Sequence, residues 1–522
     1  MENGGSRAPI RLGGKEREGE QGRGPASFEM LVLGCGGGPV GSNLSSYLVK
    51  SRARKWSEGC SGLEGGSTLG AIVALAERAP DLFSGMGLEH ELDVRAAARR
   101  TRARRNDTGA GGREAVAGER TESERQRKAR AFRTGGVVWD SINCFLITHG
   151  HLDHVAGLVI SSALCRPELK PVYGVEHTIA NLERAMDGGV WPVLGAREGG
   201  KVKAVAYEYR VVEAPSIRPR ALSPSLSFTA FPVAHGPDPS TSSCTTSPAS
   251  SPRPSDPAAP LPSDAAEHDS ILAQAKEVYC STAVFIKEDE SEREFLFFGD
   301  VEPDSVSGTD LNRKVWTAAA QKIADRKLDT LFIECSYPSS QPRELLFGHL
   351  SPPFLMEELD VLAELVRTRR GSTATAAGLT GPDRPLEGVK VVIIHIKDEL
   401  YPPPPPAVPR PRPSSIAPAD PATDASLDVA KPVSDSRLRR RSPRLESNRL
   451  SAPVLSPAGV PTTVGKSVED EDEDEEEDEE EAEAETVQER IERELNELER
   501  VRRTGVEFVL ARQGMRIGTS SF

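Results

Sequence analysis

The stretch Thr148-His149-Gly150-His151-Leu152-Asp153-His154 sets three imidazoles and a carboxylate within six residues, directly after the apolar run 142–147. A strand that ends in such a cluster presents nitrogen and oxygen donors at the mouth of a sheet, where two adjacent transition metals can be held. Imidazole suits zinc and its neighbours, and few protein ligands per ion leave a coordination position for water. Hydrolysis is therefore the leading chemistry. The bland alternative, a polar turn with surface histidines, is the weaker one for so dense a motif.

Three further groups close strand-like runs elsewhere in the chain. His235 follows the apolar residues 228–234, His395 follows residues 391–394, and Asp300 follows Phe295-Leu296-Phe297-Phe298-Gly299, whose glycine admits close approach of backbone to a ligand. Each alone reads as a hydrogen-bonded structural residue; all three at strand termini behind the His149 cluster read as ligands. The assignment that follows places one metal on His149, His151 and His235 and a second on Asp153, His154 and His395, with Asp300 bridging. Two cations roughly 3.5 to 4 Å apart share a hydroxide, lower its pKa toward neutrality and neutralise charge on a phosphoryl oxygen, which suits in-line attack on a phosphodiester. Asp153 is thereby expected to serve catalysis as well as ligation.

His349, in Leu346-Phe347-Gly348-His349-Leu350, is the second catalytic candidate. It can donate a proton to a departing sugar oxygen or contact phosphate, and it reads equally well as a packing residue before the next helix. Glu334 closes a buried strand, and either holds a ligand imidazole by its second ring nitrogen or is a simple strand-end charge. Of the nine histidines, His90, His177 and His268 lie away from strand ends and stand apart from the set.

The elements that must position these groups follow from pattern. Residues 28–33 and 43–49 read as strands around the Gly-rich turn 34–39; Gly36-Gly37-Gly38 lacks the lysine and following helix of a phosphate loop, so a tight turn lining a pocket is expected. A helix is expected over 69–76. Strand patterns recur at 137–147, 172–175, 202–212, 226–233, 281–286, 294–298, 330–333 and 389–394, and helices at 178–186, 315–325 and 354–369. In the last of these Leu355, Leu359, Leu362 and Val366 recur at i, i+3, i+4 spacing and should pack on a sheet. Residues 487–503 read as a charged helix and 505–510 as a terminal strand. Strands in two batches with helices outside fit an α/β fold of the αββα sandwich type, with two mixed sheets face to face and ligands along one edge.

Composition sets the boundaries. Residues 1–26 are rich in Gly and Arg, 95–133, 236–269 and 370–386 read as disordered insertions in a domain spanning 27–400, and 401–486 is Pro-rich, then basic, then acidic. Residues 487–522 are expected to return to the domain. The net charge of −14 is nearly accounted for by the thirteen consecutive carboxylates of residues 469–481, so it says little about the catalytic surface. The arginines of 95–133 are interleaved with acids and nearly free of aromatics, which argues against a nucleic-acid partner. No window approaches the ~18 apolar residues of a membrane span. Seven scattered cysteines without a Cys-x-x-Cys pair point to a reducing compartment, the cytoplasm. The basic run 437–441 reads as a nuclear import signal or, more simply, a solvated linker. Association into a homodimer is allowed by the sequence.

The string His149-Gly150-His151-Leu152-Asp153-His154-Val155-Ala156-Gly157-Leu158-Val159-Ile160-Ser161-Ser162-Ala163 resembles the signature of class II cyclic-nucleotide phosphodiesterases, the fungal and protist cAMP phosphodiesterases of metallo-β-lactamase fold. The resemblance extends to residues 33–39, 176–179, 190–192, 279–286, 298–302, 332–336, 346–359 and 393–397. It implies hydrolysis of 3′,5′-cyclic AMP to 5′-AMP, with cGMP as a further candidate substrate, two Zn2+ per chain, and the ligand roles given above at each position. One departure stands out: where the family often carries an aspartate before Gly-Gly to support the His-x-His ligands, this chain has Glu64, whose longer side chain can reach the same imidazole through a shifted backbone. The rival readings are a tRNA 3′-processing endonuclease of the same fold, expected to have glycine in place of Leu152, and a non-catalytic scaffold, which has no reason to keep seven ligands.

Overall fold

The computed structural model describes residues 27–83, 123–164, 168–201, 205–237, 278–374, 384–397 and 485–519, residue 217 excepted, with positions 86, 166, 203, 270, 271, 273 and 274 added. In chain order the strands and helices are β1 (Phe28–Gly34), β2 (Ser46–Ser51), β3 (Cys60–Leu63), α1 (Thr68–Arg78), α2 (Glu124–Ser141), β4 (Ile142–Leu146), α3 (Leu152–Ser161), β5 (Lys170–Gly174), α4 (Glu176–Ala185), β6 (Gly195–Arg197), β7 (Tyr207–Val211), β8 (Arg220–Ser223) and β9 (Leu226–Pro237). They continue with β10 (Val278–Glu288), β11 (Glu294–Phe298), α5 (Asp304–Ser307), α6 (Leu311–Ala324), β12 (Leu328–Glu334), α7 (Pro352–Ala374), β13 (Lys390–Ile394), α8 (Val487–Arg502), β14 (Glu507–Leu510) and β15 (Arg516–Thr519).

These strands form two sheets, ordered β15-β1-β2-β3-β4-β5-β7-β6 and β14-β13-β12-β11-β10-β9-β8. Side chains alternate across each strand, and the alternation sorts the core into layers. Phe28, Met30 and Val32 of β1 and Phe295 and Phe297 of β11 meet in the layer between the sheets, where Phe28 and Phe295 pack edge to face at 4.8 Å. Their neighbours in sequence point the other way: Leu31 and Leu33 pack with α1 and α2, and Leu296 and Phe298 pack with α6, α7 and α8. The result is the expected αββα sandwich. The C-terminal residues tie it together, since β14 pairs in parallel with β13 and β15 pairs antiparallel with β1, in different sheets. Only the first of these strands is foreshadowed by the sequence pattern.

Strand polarity explains where chemistry can gather. β11, β12 and β13 run parallel, and β9, two antiparallel steps from β11 through β10, runs the same way. The C-terminal ends of all four therefore open on one edge, bringing His235, Asp300, Glu334 and His395 together.

Several expected boundaries shift. Residues 124–133, read as part of an insertion, form the first turns of α2: Ser123 and Gln126 make a capping box, and Ala131, Val137 and Val138 are buried against α1. A charge-rich surface masks a small-residue packing face there. The insertion at 370–386 is narrower, because α7 runs to Ala374 and Leu386 is fully buried. Of the strand expected over 202–212, Tyr207–Val211 forms β7, and the one expected over 137–147 begins at Ile142, because 137–141 complete α2. β9 extends past Ala234 to Pro237, so His235 sits inside a strand, at an irregular stretch where Ala234 faces Cys280 and Pro237 faces Val278. Bulges of this kind re-aim a side chain, and this one turns His235 into the cleft. The readings made for residues 1–26, 87–122, 238–269, 375–383 and 401–484, and for His90 and His268, fall outside the described residues. Among the described residues, no helix is long and apolar enough to cross a membrane.

One half-buried acid makes stability pH-dependent. Asp304 accepts the backbone N–H groups of Asn312 and Arg313 at the start of α6, and its own N–H donates to Glu358, which also accepts Trp316 Nε1–H. Burial, followed by the charge of Glu358, pushes the Asp304 carboxyl up to about 7. A carboxyl raised on folding stabilises fully below its unfolded value, about 4, and that contribution is lost as pH rises through about 7. Thermal unfolding of Asp304→Asn, which keeps an acceptor for the helix, is expected to gain on the parent between about pH 5 and about pH 8. A constant difference across that range would contradict the assignment.

Candidate metal centre

β4 delivers the first cluster. The strand ends at Leu146; Ile147, Thr148 and His149 follow, and the chain turns at His151, the residue preceding α3. His149 and His154 are buried, Asp153 is partly buried and His151 is exposed, which makes the His151–Asp153 side the open one. Gly37 and Gly299 fit by lacking a side chain: a Cβ on Gly37 would stand 2.8 Å from the His395 ring, and one on Gly299 would stand 2.3 Å from the hydroxyls of Ser281 and Thr148.

All seven side chains expected as ligands converge, in two groups that share Asp300. In the first, His149 Nε2 and His235 Nε2 each lie 3.1 Å from His151 Nδ1, and Asp300 Oδ2 lies 3.5 and 3.6 Å from His149 and His235. In the second, Asp300 stands 3.2 Å from His154 Nε2 and 3.1 Å from His395 Nε2, while Asp153 Oδ2 stands 4.0 and 3.5 Å from the same two nitrogens. Tetrahedral zinc with bonds of about 2.0–2.1 Å sets its ligand atoms ~3.3 Å apart, close to these separations. His154 Nε2, Asp300 Oδ2 and His395 Nε2 are also buried without a hydrogen-bond partner. Buried polar atoms are rarely left so, and a cation bound between the groups would satisfy them. The donor set fits a pair of metal ions.

Electrostatics prepares the imidazoles of the first group. Burial, reinforced by neighbouring rings, holds His149 well below the usual histidine value; burial also lowers His151 and takes His235 down to about 4. Neutral rings offer lone pairs, as ligation requires. His235 Nδ1–H donates to the Gly348 carbonyl at 2.7 Å, which leaves Nε2 as the lone-pair nitrogen facing the cleft. In the second group burial opposes charge, but Asp300 and Glu64 overcome it and hold His154 well above the usual value; against burial, His154 and His395 keep the Asp300 carboxyl far below the ordinary carboxylate range.

Supporting contacts lie one step out. Glu64, in a left-handed backbone conformation (φ 61°), accepts from the Thr148 hydroxyl and backbone N–H and lies 3.4 Å from His154 Nδ1. Thr148 Oγ1 in turn is 3.1 Å from His149 Nδ1, so one carboxylate steadies a ligand in each group. Glu64→Gln is expected to weaken metal affinity about 10–100-fold, the usual cost of losing such a partner; a competitive-chelator titration measures it, and unchanged affinity would count against the relay. Ser45 Oγ is 3.1 Å from His395 Nδ1.

Glu334 grips His349, not a residue of either ligand group: its Oε1 is 2.9 Å from His349 Nδ1, and its carboxylate also accepts from Val301 N, Leu350 N and Ser336 Oγ. Although burial pulls the other way, Glu334 raises His349 above the usual histidine value. The His349 ring packs 4.9 Å from that of His235 and 5.3 Å from that of His395, placing it at the centre's flank. His177 stays outside the ligand groups, with Nε2 bonded to the Cys280 carbonyl at 2.7 Å. Sequence reasoning missed Tyr279, whose ring stacks on His151 at 4.8 Å and 4°, as well as Thr148, Ser281 and Ser45; single hydroxyl and phenol side chains carry no spacing signal.

Comparison with known proteins agrees with this geometry. Residues 119–412, more than half of the chain, match the family model for class II cAMP phosphodiesterases. The chain is 31% identical over 347 residues to a 3′,5′-cyclic-nucleotide phosphodiesterase of Schizosaccharomyces pombe, covering 66% of this chain and 77% of that protein. It is 25% identical over 375 residues to one from Aliivibrio fischeri, covering 72% and 82%. The crystal structure of unliganded yeast PDE1 superposes with a TM-score of 0.55 over 94% of this chain and 99% of that one, at 17% identity, a likeness of fold. The chain belongs to the class II cAMP phosphodiesterases.

Proposed function

We propose that the protein is a metal-dependent cyclic-nucleotide phosphodiesterase that hydrolyses 3′,5′-cyclic AMP to 5′-AMP and thereby ends a cAMP signal. The observation that carries this reading is the pair of ligand groups sharing Asp300, with the Glu334–His349 pair beside them. His149, His151 and His235 would hold one ion and Asp153, His154 and His395 the other, with Asp300 between; the nitrogen-rich donor set favours zinc. Bound there, two such ions supply positive charge to the phosphoryl group and acidify water.

The chain's own residues do the rest. The exposed His151–Asp153 side admits the cyclic phosphate, and the neighbouring buried donors keep their positions through Glu64, Thr148, Ser45 and the Gly348 carbonyl. Water oxygen bonds to phosphorus, giving one proton to the Asp153 carboxylate, as the bond from phosphorus to the 3′ oxygen breaks. His349, which Glu334 orients and biases toward its protonated form, gives its proton to that leaving oxygen. Cys60, Cys144 and Cys335 are buried free thiols, in keeping with action in the reducing cytoplasm.

Product analysis tests the reading. The purified protein incubated with cAMP should yield 5′-AMP, and Asp153→Ala should not. Equal activity of the two, or 3′-AMP as product, would contradict the proposed site or the proposed direction of cleavage.

A further inference from the structure

The two groups of ligands and His349 account for the phosphate, but a nucleotide also carries a base, and a purine is held by apolar and aromatic surface. Eleven large apolar side chains are exposed among the described residues. Only Leu152, Leu345 and Phe347 fall within four residues of a member of the centre. Leu152 is 72% exposed and sits between His151 and Asp153. Phe347 is 67% exposed and lies two residues before His349.

Their placement is linked through one ring. His235 Nε2 meets His151 Nδ1 at 3.1 Å, and its Nδ1–H donates to the Gly348 carbonyl at 2.7 Å. Leu152 follows the residue on one edge of that ring, and Phe347 precedes the residue on the other. The Phe347 loop is fixed at this spot: Gly348 packs so closely on His235 that a Cβ there would stand 2.8 Å from the His235 backbone, and Ser336 N–H donates to the Leu350 carbonyl at its far end. Leu346, next in sequence, is buried at 1% exposure, while Phe347 is turned outward in a left-handed conformation (φ 51°). A phenyl ring held exposed in a strained backbone state gains nothing for folding. Such strain concentrates where a side chain is needed for binding.

We propose that Phe347 and Leu152 grip the nucleobase of the cyclic nucleotide from two sides, the phenyl ring stacking on the purine while the phosphate rests over Asp300. The inference rests on the cyclic-nucleotide reading of the centre. It makes Phe347 a binding residue whose effect appears in KM, because base contacts far from the reacting bond are equal in ground and transition states.

The test compares cAMP with 3′,5′-cyclic ribose phosphate lacking a base. For cAMP, Phe347→Ala should raise KM roughly 10-fold with kcat nearly unchanged, the usual scale for losing one base-stacking ring. Phe347→Trp should retain a low KM, and Leu152→Ser should raise it by less than Phe347→Ala. For the base-free substrate, Phe347→Ala and the parent should share one KM. Phe347→Gly separates binding from folding: it relieves the strained φ, so its melting temperature should not fall while its KM for cAMP rises. An unchanged KM for cAMP in an otherwise active Phe347→Ala protein would overturn the inference alone, as would equal losses on both substrates. A parent protein inactive on cAMP would overturn the function and this inference together.

Discussion

Replacing Asp300 by alanine is expected to lower kcat/KM for cAMP by about 10^3-fold or more and to cut bound metal from about two ions per chain to one at most. The reason is position. The carboxylate is 2% exposed and is the one side chain common to both ligand groups; its oxygens lie within 3.6 Å of imidazole nitrogens from His149, His154, His235 and His395. Two cations a few ångströms apart repel each other, and the anion between them offsets that repulsion. Without it, the rings of His149, His154, His235 and His395 face one another with Asp153 left as the carboxylate of the second group and none in the first. Metal analysis by mass spectrometry beside steady-state kinetics reads both effects. Full metal content with full activity in Asp300→Ala would show that the groups act independently.

Replacing His349 by alanine should lower kcat for cAMP about 10^2- to 10^4-fold, the usual range for a positioned general acid. The departing 3′ oxygen is a strongly basic alkoxide and needs a proton, and His349, held by Glu334 at 2.9 Å, is the ring biased toward its charged form beside it. A substrate with a weakly basic leaving group, such as bis(p-nitrophenyl) phosphate, needs no such proton, so Asp300→Ala should remain inactive on it while His349→Ala recovers most of its rate. Glu334→Gln should follow His349→Ala on both substrates, since that carboxylate acts through the imidazole. Equal loss for His349→Ala on both substrates would make the ring a packing element of the centre instead of its acid.

Much of this was legible in the chain. The His149 to His154 motif declares itself by density, and His235, Asp300 and His395 by closing apolar runs, because a strand that leaves the core must place its next polar residue at the sheet's edge. The layer pattern was equally readable, since β1, β11 and β13 alternate between two cores with period 2. What could not be read has a common physical cause: it depends on contacts distant in sequence. The partner of Glu334 is set by the loop that returns at His349, the stacking of Tyr279 on His151 by the pairing of β9 with β10, and the addition of β15 to β1 by a register linking residues almost five hundred apart. The first turns of α2 were hidden for a different reason. Glu124, Arg125, Arg127 and Lys128 face outward and outweigh the buried Ala131 in any composition count.

The proposed activity requires two ions held by the two groups that share Asp300. Its most direct test is zinc titration of the chelated protein while cAMP hydrolysis is followed. Activity should be absent without metal and should return fully at about two equivalents per chain. Activity that survives chelation, or that returns fully at one equivalent, would contradict it.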